Sequence, residues 1–306
     1  MRPILRPGVH VLRRSDRELQ VGLGPHRAVV LADDDEARRC LDLLRRSAEI
    51  GEYDGSAALE VLTEGGLVVD GGTLMPLIPA RRGAPAARAD VAALAHSDGD
   101  DAPRLVAARS GIRLAVVGFG NAAGAGLAEE LRTLSRDAGL RVTTATAPDV
   151  VAVVGVGEPT REIVDGWMRA GTPHLPVRLV EGSATVGPFV VPGSTACLRC
   201  LDAHHTDVDP SWPLLVMQYA AASARPRADG VPEPVDGLLA TIALAWAARD
   251  LVSYVEGRRP STWSATIRFD PHLSAVETRT WLRHPDCGCS WAETRPALAG
   301  SATMEA

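Results

Sequence analysis

Two close cysteine pairs, Cys197-Leu-Arg-Cys200 and Cys287-Gly-Cys289, carry the most specific chemistry in the chain. Thiolates are soft anionic donors, and two chelating pairs can close a tetrahedral site around zinc. Four thiolates leave no open coordination position, so such a zinc would be structural rather than catalytic. A redox pair, or cysteines with no common role, are the other readings. A thioredoxin-like pair should open a helix after an early strand, whereas Pro192-Gly-Ser-Thr-Ala196 precedes this one. His204 and His205 follow the first pair and offer a fourth ligand should Cys289 not take part; solvated or capping histidines are commoner. Cys40 lies on an apolar helix face and reads as packing.

Gly118, Gly120 and Gly124, with Gly126 following, read as a glycine loop of the G-x-G-x-x-G kind. Leu114-Ala-Val-Val before it is a buried-strand run, and Leu127 to Ala138 after it has helical periodicity. That context is what a phosphate-cradling turn requires. The acid expected about 20 residues further on to hold a ribose is missing, and Asp149 comes late. The loop therefore reads either as a nucleotide site or as a turn serving only helix packing. Ser194 lacks the flanking glycines of a nucleophile elbow.

All 32 basic side chains are arginine, for the sequence contains no lysine. This excludes Schiff-base chemistry and the lysine of a phosphate-binding loop. With 38 acids the net charge is −6, which argues against nucleic acid as a partner. The 306 residues, 46% hydrophobic and 23% charged, suit a soluble protein of about two domains. The N-terminus lacks the apolar run of a signal peptide. The longest apolar stretch, Leu238 to Val255, is interrupted by Arg249 and Asp250 and reads as a buried helix, so no membrane partner is expected. Five cysteines do not make a disulfide framework and point to a reducing cytoplasm.

The elements that would position these residues fall into two blocks. In residues 1–75, Val9 to Leu12, Glu18 to Leu23 and Arg27 to Leu31 predict three short antiparallel strands, with Gly22, Gly24 and Pro25 marking the last turn. Asp33-Asp-Asp-Glu36 precedes a helix with Cys40, Leu41, Leu43 and Leu44 on one face and arginines in its last turn. A helix from Ala57 to Thr63 and a glycine-flanked strand follow. Residues 76–110 predict a linker, with Pro76, Pro79, Arg81-Arg-Gly83 and Pro85, and a helix around Val91 to His96. From 111 to 306 strands alternate with helices: Leu140 to Thr146, Val150 to Gly155, Thr160 to Ala170 and Pro176 to Val180. This alternation predicts a parallel, doubly wound α/β sheet. Asp207 to Pro213 reads as a turn-rich segment.

Gly187-Pro-Phe-Val-Val-Pro-Gly193 running into the first cysteine pair, and His284-Pro-Asp-Cys-Gly-Cys289 after the strand Ser264 to Phe269, resemble the ThiF/MoeB family, bacterial relatives of ubiquitin-activating enzymes. The resemblance covers roughly residues 105–291. It implies a Rossmann-like domain whose structural zinc is held by Cys197, Cys200, Cys287 and Cys289, with Gly118, Gly120 and Gly124 at the nucleotide loop. Members that use ATP have an acid after the second strand, an arginine and a lysine at the triphosphate, and an aspartate after the fourth strand. This sequence has neither that acid nor any lysine, and Glu158 stands at the wrong offset for the aspartate. The loop is then vestigial, and ATP is not expected as a cofactor.

Residues 1–75 resemble a PqqD-type RiPP-recognition element, a small winged-helix module. Joined to a degenerate ThiF-like domain, it is similar to the leader-peptide-binding proteins of azole and azoline peptide pathways, of actinobacterial type; Asp209-Pro-Ser-Trp-Pro213 belongs to the likeness. The resemblance implies a protein without chemistry of its own. It would bind a ribosomal precursor's leader peptide on the third strand, at Arg27, Ala28, Val29, Val30 and Leu31, and present the core to a YcaO-type cyclodehydratase. Homodimers are common among such folds. The alternative is an ATP-dependent adenylyltransferase acting on the C-terminus of a small ubiquitin-like carrier protein, with Arg132, Arg136 or Arg141 replacing the lysine. A nicotinamide-dependent oxidoreductase rests on the glycine loop alone.

Overall fold

The computed structural model describes residues 1–24, 27–53, 55–78, 85–226 and 229–291. Pro25 of the expected turn, and Pro79 and Arg81 to Gly83 of the expected linker, lie outside them. The chain divides into two compact units, Met1–Ala107 and Ala108–Ala306.

The first unit opens with β1 (Pro3–Leu5), β2 (Val11–Arg13), β3 (Glu18–Val21) and β4 (Val29–Ala32). Then come α1 (Asp35–Arg45), a 3-10 turn (Ile50–Tyr53), α2 (Ala57–Glu64), β5 (Val68–Asp70), α3 (Gly71–Leu74), α4 (Pro85–Asp98) and α5 (Ala102–Gly111), which runs across the unit boundary. Strands β2, β3 and β4 form the expected antiparallel meander, and β1 pairs antiparallel with β5. The third strand begins at Val29, so Arg27 and Ala28 belong to the approach to it.

Side-chain caps set the helix starts. Asp34 accepts from the N–H of Ala37, and Ser56 from that of Leu59, each satisfying an orphan donor of the first turn. Ser56 also donates to Glu36 at 2.6 Å, which ties the start of α2 to α1. Val21 and Leu31 meet Cys40, Leu41, Leu44, Leu62 and Leu67 in one core. A second cluster joins Ile4 and Val69 to Leu94 and Ala95 of α4 and Leu105 of α5. Much of the stretch expected as a linker is thus helical and buries side chains in this unit.

The second unit contains β6 (Arg113–Phe119), α6 (Ala122–Asp137), β7 (Arg141–Val142), β8 (Val150–Val156), α7 (Arg161–Ala170), β9 (His174–Val180) and β10 (Ser183–Val186). It continues with α8 (Leu198–Thr206), α9 (Trp212–Ser223), α10 (Gly237–Val255), β11 (Ala265–Phe269) and β12 (Val276–Thr280). The seven strands lie in the order β12-β11-β10-β9-β8-β6-β7. The half from β9 to β7 is parallel, as expected. From β9 to β12 the sheet continues antiparallel, with a two-residue turn joining β9 to β10 and a six-residue loop joining β11 to β12.

Both faces of this sheet are covered. Val150, Ala152, Val154 and Val156 of β8 join the core shared with α6 and α10, while Val153 joins Val164, Leu198 and Leu201 of α7 and α8. A strand buried on both faces must read as a continuous apolar run, which is why Val150 to Val156 does. Helix α10 is long and apolar enough to cross a membrane by length and composition alone. Eleven of its residues are instead buried in the unit. Among them Asp250 accepts from Ser261 N at 2.8 Å and Thr262 N at 2.9 Å, so its carboxylate organises the following loop.

Strand β7 is shorter than the expected Leu140 to Thr146. Thr143 N still bonds Leu114 O, but two residues along β6 the Arg132 guanidinium takes Val116 O at 2.7 Å. That carbonyl is the one a longer β7 would have used. The supposed turn Asp207 to Pro213 leads directly into α9, with Trp212 and Pro213 at its first positions; proline is tolerated there because the first helical N–H groups have no intrahelical acceptor.

Candidate metal centre and glycine loop

Cys197 caps α8 and Cys200 lies in its first turn, so one helix start presents both sulfurs to the same side. Cys287 and Cys289 flank Gly288 where the chain turns after Trp281. The Sγ–Sγ separations are 3.8 Å for Cys197–Cys200, 3.7 Å for Cys197–Cys287 and 3.4 Å for Cys200–Cys289. A tetrahedron with zinc–sulfur bonds of about 2.3 Å has edges of about 3.8 Å, so the cluster is close to the size of the site it would form. Three of the cysteines are buried and Cys289 is half-buried, walled by Phe119, Val164, Val190, Leu198 and Trp281. Donation from Cys197, with Cys287 and Cys289, drives the Cys200 thiol far below its usual range, while the same exchange drives Cys197 up. This soft, enclosed, four-donor set can hold a metal ion with no position left for substrate.

Neither histidine after the first pair joins the sulfurs. His204 Nε2 donates to Leu282 O at 2.9 Å, and His205 stacks on Trp212 with ring centroids 4.3 Å apart. His204, Asp207 and His284 gather closely enough to be considered as ligands. Both ring nitrogens of His284 are engaged, however: Nδ1 accepts from Asp286 N at 3.2 Å, and Nε2 meets Asp207 Oδ2 at 3.0 Å. The trio reads as a clasp joining the segment before Cys287 to the end of α8. Asp207 raises the His284 imidazole above its ordinary value.

At the glycine loop, Gly120 and Gly124 are separated by three residues, one more than in G-x-G-x-x-G. Packing explains both. A Cβ on Gly120, at φ +83°, would lie 2.5 Å from Val156 O, and one on Gly124 would lie 2.0 Å from Phe119 O. The start of α6 is already capped within the chain, with Ala123 N bonded to Asn121 Oδ1 and Gly124 N to Asn121 O.

Charged groups around the sheet are likewise committed to one another. Glu158, just past β8, is held by Arg178 at 2.8 Å and Arg161 at 3.1 Å. Arg161 also grips Asp202 of α8 through two bonds, at 2.6 and 2.8 Å. Trp212 Nε1 adds a third bond to Asp202. Burial opposes the charge on Arg161, yet Asp202 and Glu158 outweigh it and hold the guanidinium above its usual value. The four side chains sum to zero charge. They come from three separated stretches of sequence, so beyond the local Glu158–Arg161 pair no signal announces the network.

The three arginines considered as phosphate ligands lie elsewhere. Arg132 is taken by Glu129 and Val116 O, and Arg136 by the same Glu129. Arg141 pairs in register with Arg113 at the start of β6, beside Asp149. The glycine loop is at the other end of that strand, about 20 Å away for seven residues. Asp149 is bound by Arg113 at 2.8 and 3.0 Å, which holds its carboxyl below the ordinary value, so it does not face the loop.

In the first unit, β4 pairs with β3 on one side and is the outer strand of its sheet among the described residues. Leu31 points into the core while Val30 is exposed. Beside the β3–β4 connection lies a cavity of about 580 Å³, lined among others by Arg6, Val9, Leu23, Arg27, Leu67 and His96. The Arg6 and Arg27 guanidiniums converge on His96 O, at 3.0 and 3.4 Å. Partial burial, then the Arg27 charge, lowers the Arg6 guanidinium.

The sequence matches no family model, and no curated protein matches it. Solved structures do. The heterocyclase TruD aligns over 94% of this chain with a TM-score of 0.68 and 19% identity, and a heterocyclase in complex with substrate and cofactor gives 0.66 and 18%. The chain spans only 42% and 39% of those two proteins. MccB of E. coli, solved with ATP, aligns over 95% of this chain and 100% of its own length, with a TM-score of 0.59 and 14% identity. This chain shares the fold of MccB and of the matching part of TruD.

Proposed function

We propose that this chain binds the leader of a ribosomal precursor peptide and presents the peptide to a YcaO-type cyclodehydratase, without adenylating anything itself. The observation that carries the reading is the commitment of the charged groups around the seven-stranded sheet. Arg161 and Arg178 are neutralised by Glu158 and Asp202, and Arg132 is spent on Glu129 and a strand carbonyl. Among the described residues, a triphosphate drawing on Arg161 or Arg178 would have to break their buried pairs. The first unit instead offers what a peptide needs: an outer strand, β4, with main-chain groups for an added strand, and a side-chain pocket beside its entry. In this reading the unit is a winged-helix recognition module, and Val29, Val30 and Leu31 form the docking strand with Arg27 at the pocket.

The heterocyclase likeness supports a pathway context of azoline-forming peptide modification. Only the matching part of those longer proteins is assigned to this chain; ring formation falls to the partner. Zinc is the metal we assign to Cys197, Cys200, Cys287 and Cys289, holding the second unit together. A cytoplasmic site of action agrees with thiols kept reduced for the metal. Fluorescence anisotropy of a labelled leader peptide against the full chain tests the reading: saturable binding is expected, and none at high micromolar protein would refute it.

The full-length match to MccB solved with ATP favours a second reading, an ATP-dependent adenylyltransferase acting on the C-terminus of a small ubiquitin-like carrier protein. It requires Arg161 or Arg178 to leave its acid when nucleotide arrives.

A further inference from the structure

Helix α10 turns one face into the core of the second unit and leaves an apolar stripe on the other. Leu238, Ile242, Ala245 and Trp246 recur at spacings of three and four, which places them on one side of the helix. Leu238 is 80% exposed and Trp246 36%. Arg249 carries the stripe on by three residues. The loop that follows the helix faces it with Arg259 and Ser261, and the groove between helix and loop has a volume of about 610 Å³. Every residue that lines it belongs to the second unit.

Internal bonds hold both walls in place. Trp246 Nε1 donates to Ser261 Oγ at 2.8 Å, and the ring meets Phe269 edge-on with 5.6 Å between centroids. The indole nitrogen is thus spent, and the ring offers the groove apolar surface alone. Asp250 is the acid in the lining, and it is 2% exposed. Its two oxygens accept from the N–H and hydroxyl groups of Ser261 and Thr262. The arginines are in the opposite condition. Arg249 and Arg259 are exposed, and among the described residues neither has an ion pair or a hydrogen bond; Arg259 lies 5.9 Å from the Trp263 ring. Other arginines of this unit are tied to acids: Arg113 to Asp149, Arg161 to Asp202, Arg199 to Asp165.

A tryptophan fixed in position beside two unspent arginines has the composition of a protein-binding hot spot, where aromatic and arginine side chains carry most of the energy. Its complement is an apolar side chain with carboxylates beside it. Presenting a peptide to an enzyme requires two surfaces, one for the peptide and one for the enzyme, and the first unit supplies the peptide surface. We propose that the α10 groove is the second surface, which docks the partner cyclodehydratase through a segment bearing carboxylates next to an apolar side chain. The apolar group packs on Trp246, and the carboxylates meet Arg249 and Arg259. This docking rests on the function proposed above.

The test is sedimentation velocity on the full chain, alone and with the purified YcaO-type cyclodehydratase, at low and at physiological salt. Circular dichroism checks folding. Wild type should form a complex that weakens as salt rises, because exposed charges are screened. Arg249→Glu and Arg259→Glu should each weaken it by about tenfold or more, since each sets a carboxylate against a carboxylate. Both positions are exposed, so both variants should fold as wild type does. Leader binding, followed by anisotropy, should be unchanged in both, and so should the sedimentation of each variant alone. A wild-type complex that the variants form equally well would overturn the groove and leave the proposed function standing. A wild type that binds no cyclodehydratase would overturn the groove and the presentation role together. A change in the sedimentation of the variants alone would give the groove to a second copy of the chain and overturn the docking of the enzyme there.

Discussion

The sulfurs of Cys197 and Cys287 lie 3.7 Å apart although ninety residues separate them in the chain. One opens the helix α8; the other follows the last strand of the sheet. Their contact closes the second unit on itself, and the pairs Cys197–Cys200 and Cys287–Cys289 supply the four donors that a structural zinc requires.

Removing that closure should be severe. Cys287→Ser should carry less than about a tenth of the metal of wild type, because one thiolate of four is lost. A strong chelator should lower the melting temperature of the wild-type chain by about 10 °C or more, and added zinc should restore it. Elemental analysis with thermal melts reads both; full stability in a metal-free chain contradicts the structural role.

The Glu158–Arg161–Asp202 network makes a second prediction. The Arg161 side chain is 11% exposed, and Arg161→Leu would leave the buried Asp202 carboxylate without its cation and Glu158 with Arg178 alone. The expected loss is about 3–5 kcal/mol in urea unfolding. Arg199→Ala removes an exposed pair with Asp165 and should cost less than about 1 kcal/mol. Equal losses would contradict the burial argument.

His174 should make the second unit sensitive to acid. Burial depresses its imidazole from 6.5 to about 4, and Nδ1–H donates to Thr172 O while the buried Nε2 has no described partner. Between those two pH values the unfolded chain binds a proton that the folded chain does not, so stability falls as pH drops through this window. The loss attributable to this group is about 3 kcal/mol. His174→Gln should flatten the dependence in unfolding titrations at pH 4 to 7, and an unchanged slope would count against it.

Arg27 lines the cavity beside β4 and is exposed, so Arg27→Glu should leave folding intact. If the cavity receives part of an acidic or carbonyl-rich leader, this change weakens leader binding by about tenfold, the size of one charge-assisted hydrogen bond. Anisotropy titrations of both proteins measure it.

What was legible in the sequence followed short-range patterns. Val150 to Val156 shows its burial by composition, the cysteine pairs show theirs by spacing, and Asp34 marks α1 by its cap. What was not legible depends on distant partners. The end of β7 is decided by Arg132 reaching Val116 O, and β10 is a four-residue strand visible only through its pairing with β9 and β11. Glu158 could be noticed from sequence as a displaced acid. Arg161 lies three residues further on, but Arg178 and Asp202 meet this pair only in the fold. The glycine loop looked like a nucleotide site because packing and phosphate binding ask for the same small residues; the capped start of α6 is a three-dimensional fact.

The most direct test of the central claim places both ligands before the same protein. The full chain is titrated by calorimetry with magnesium–ATP and with the precursor peptide, and ATP–pyrophosphate exchange is followed with the peptide present. Leader-dependent peptide binding with no exchange above background is the predicted result. Exchange above background, with micromolar ATP affinity and no peptide binding, would contradict it.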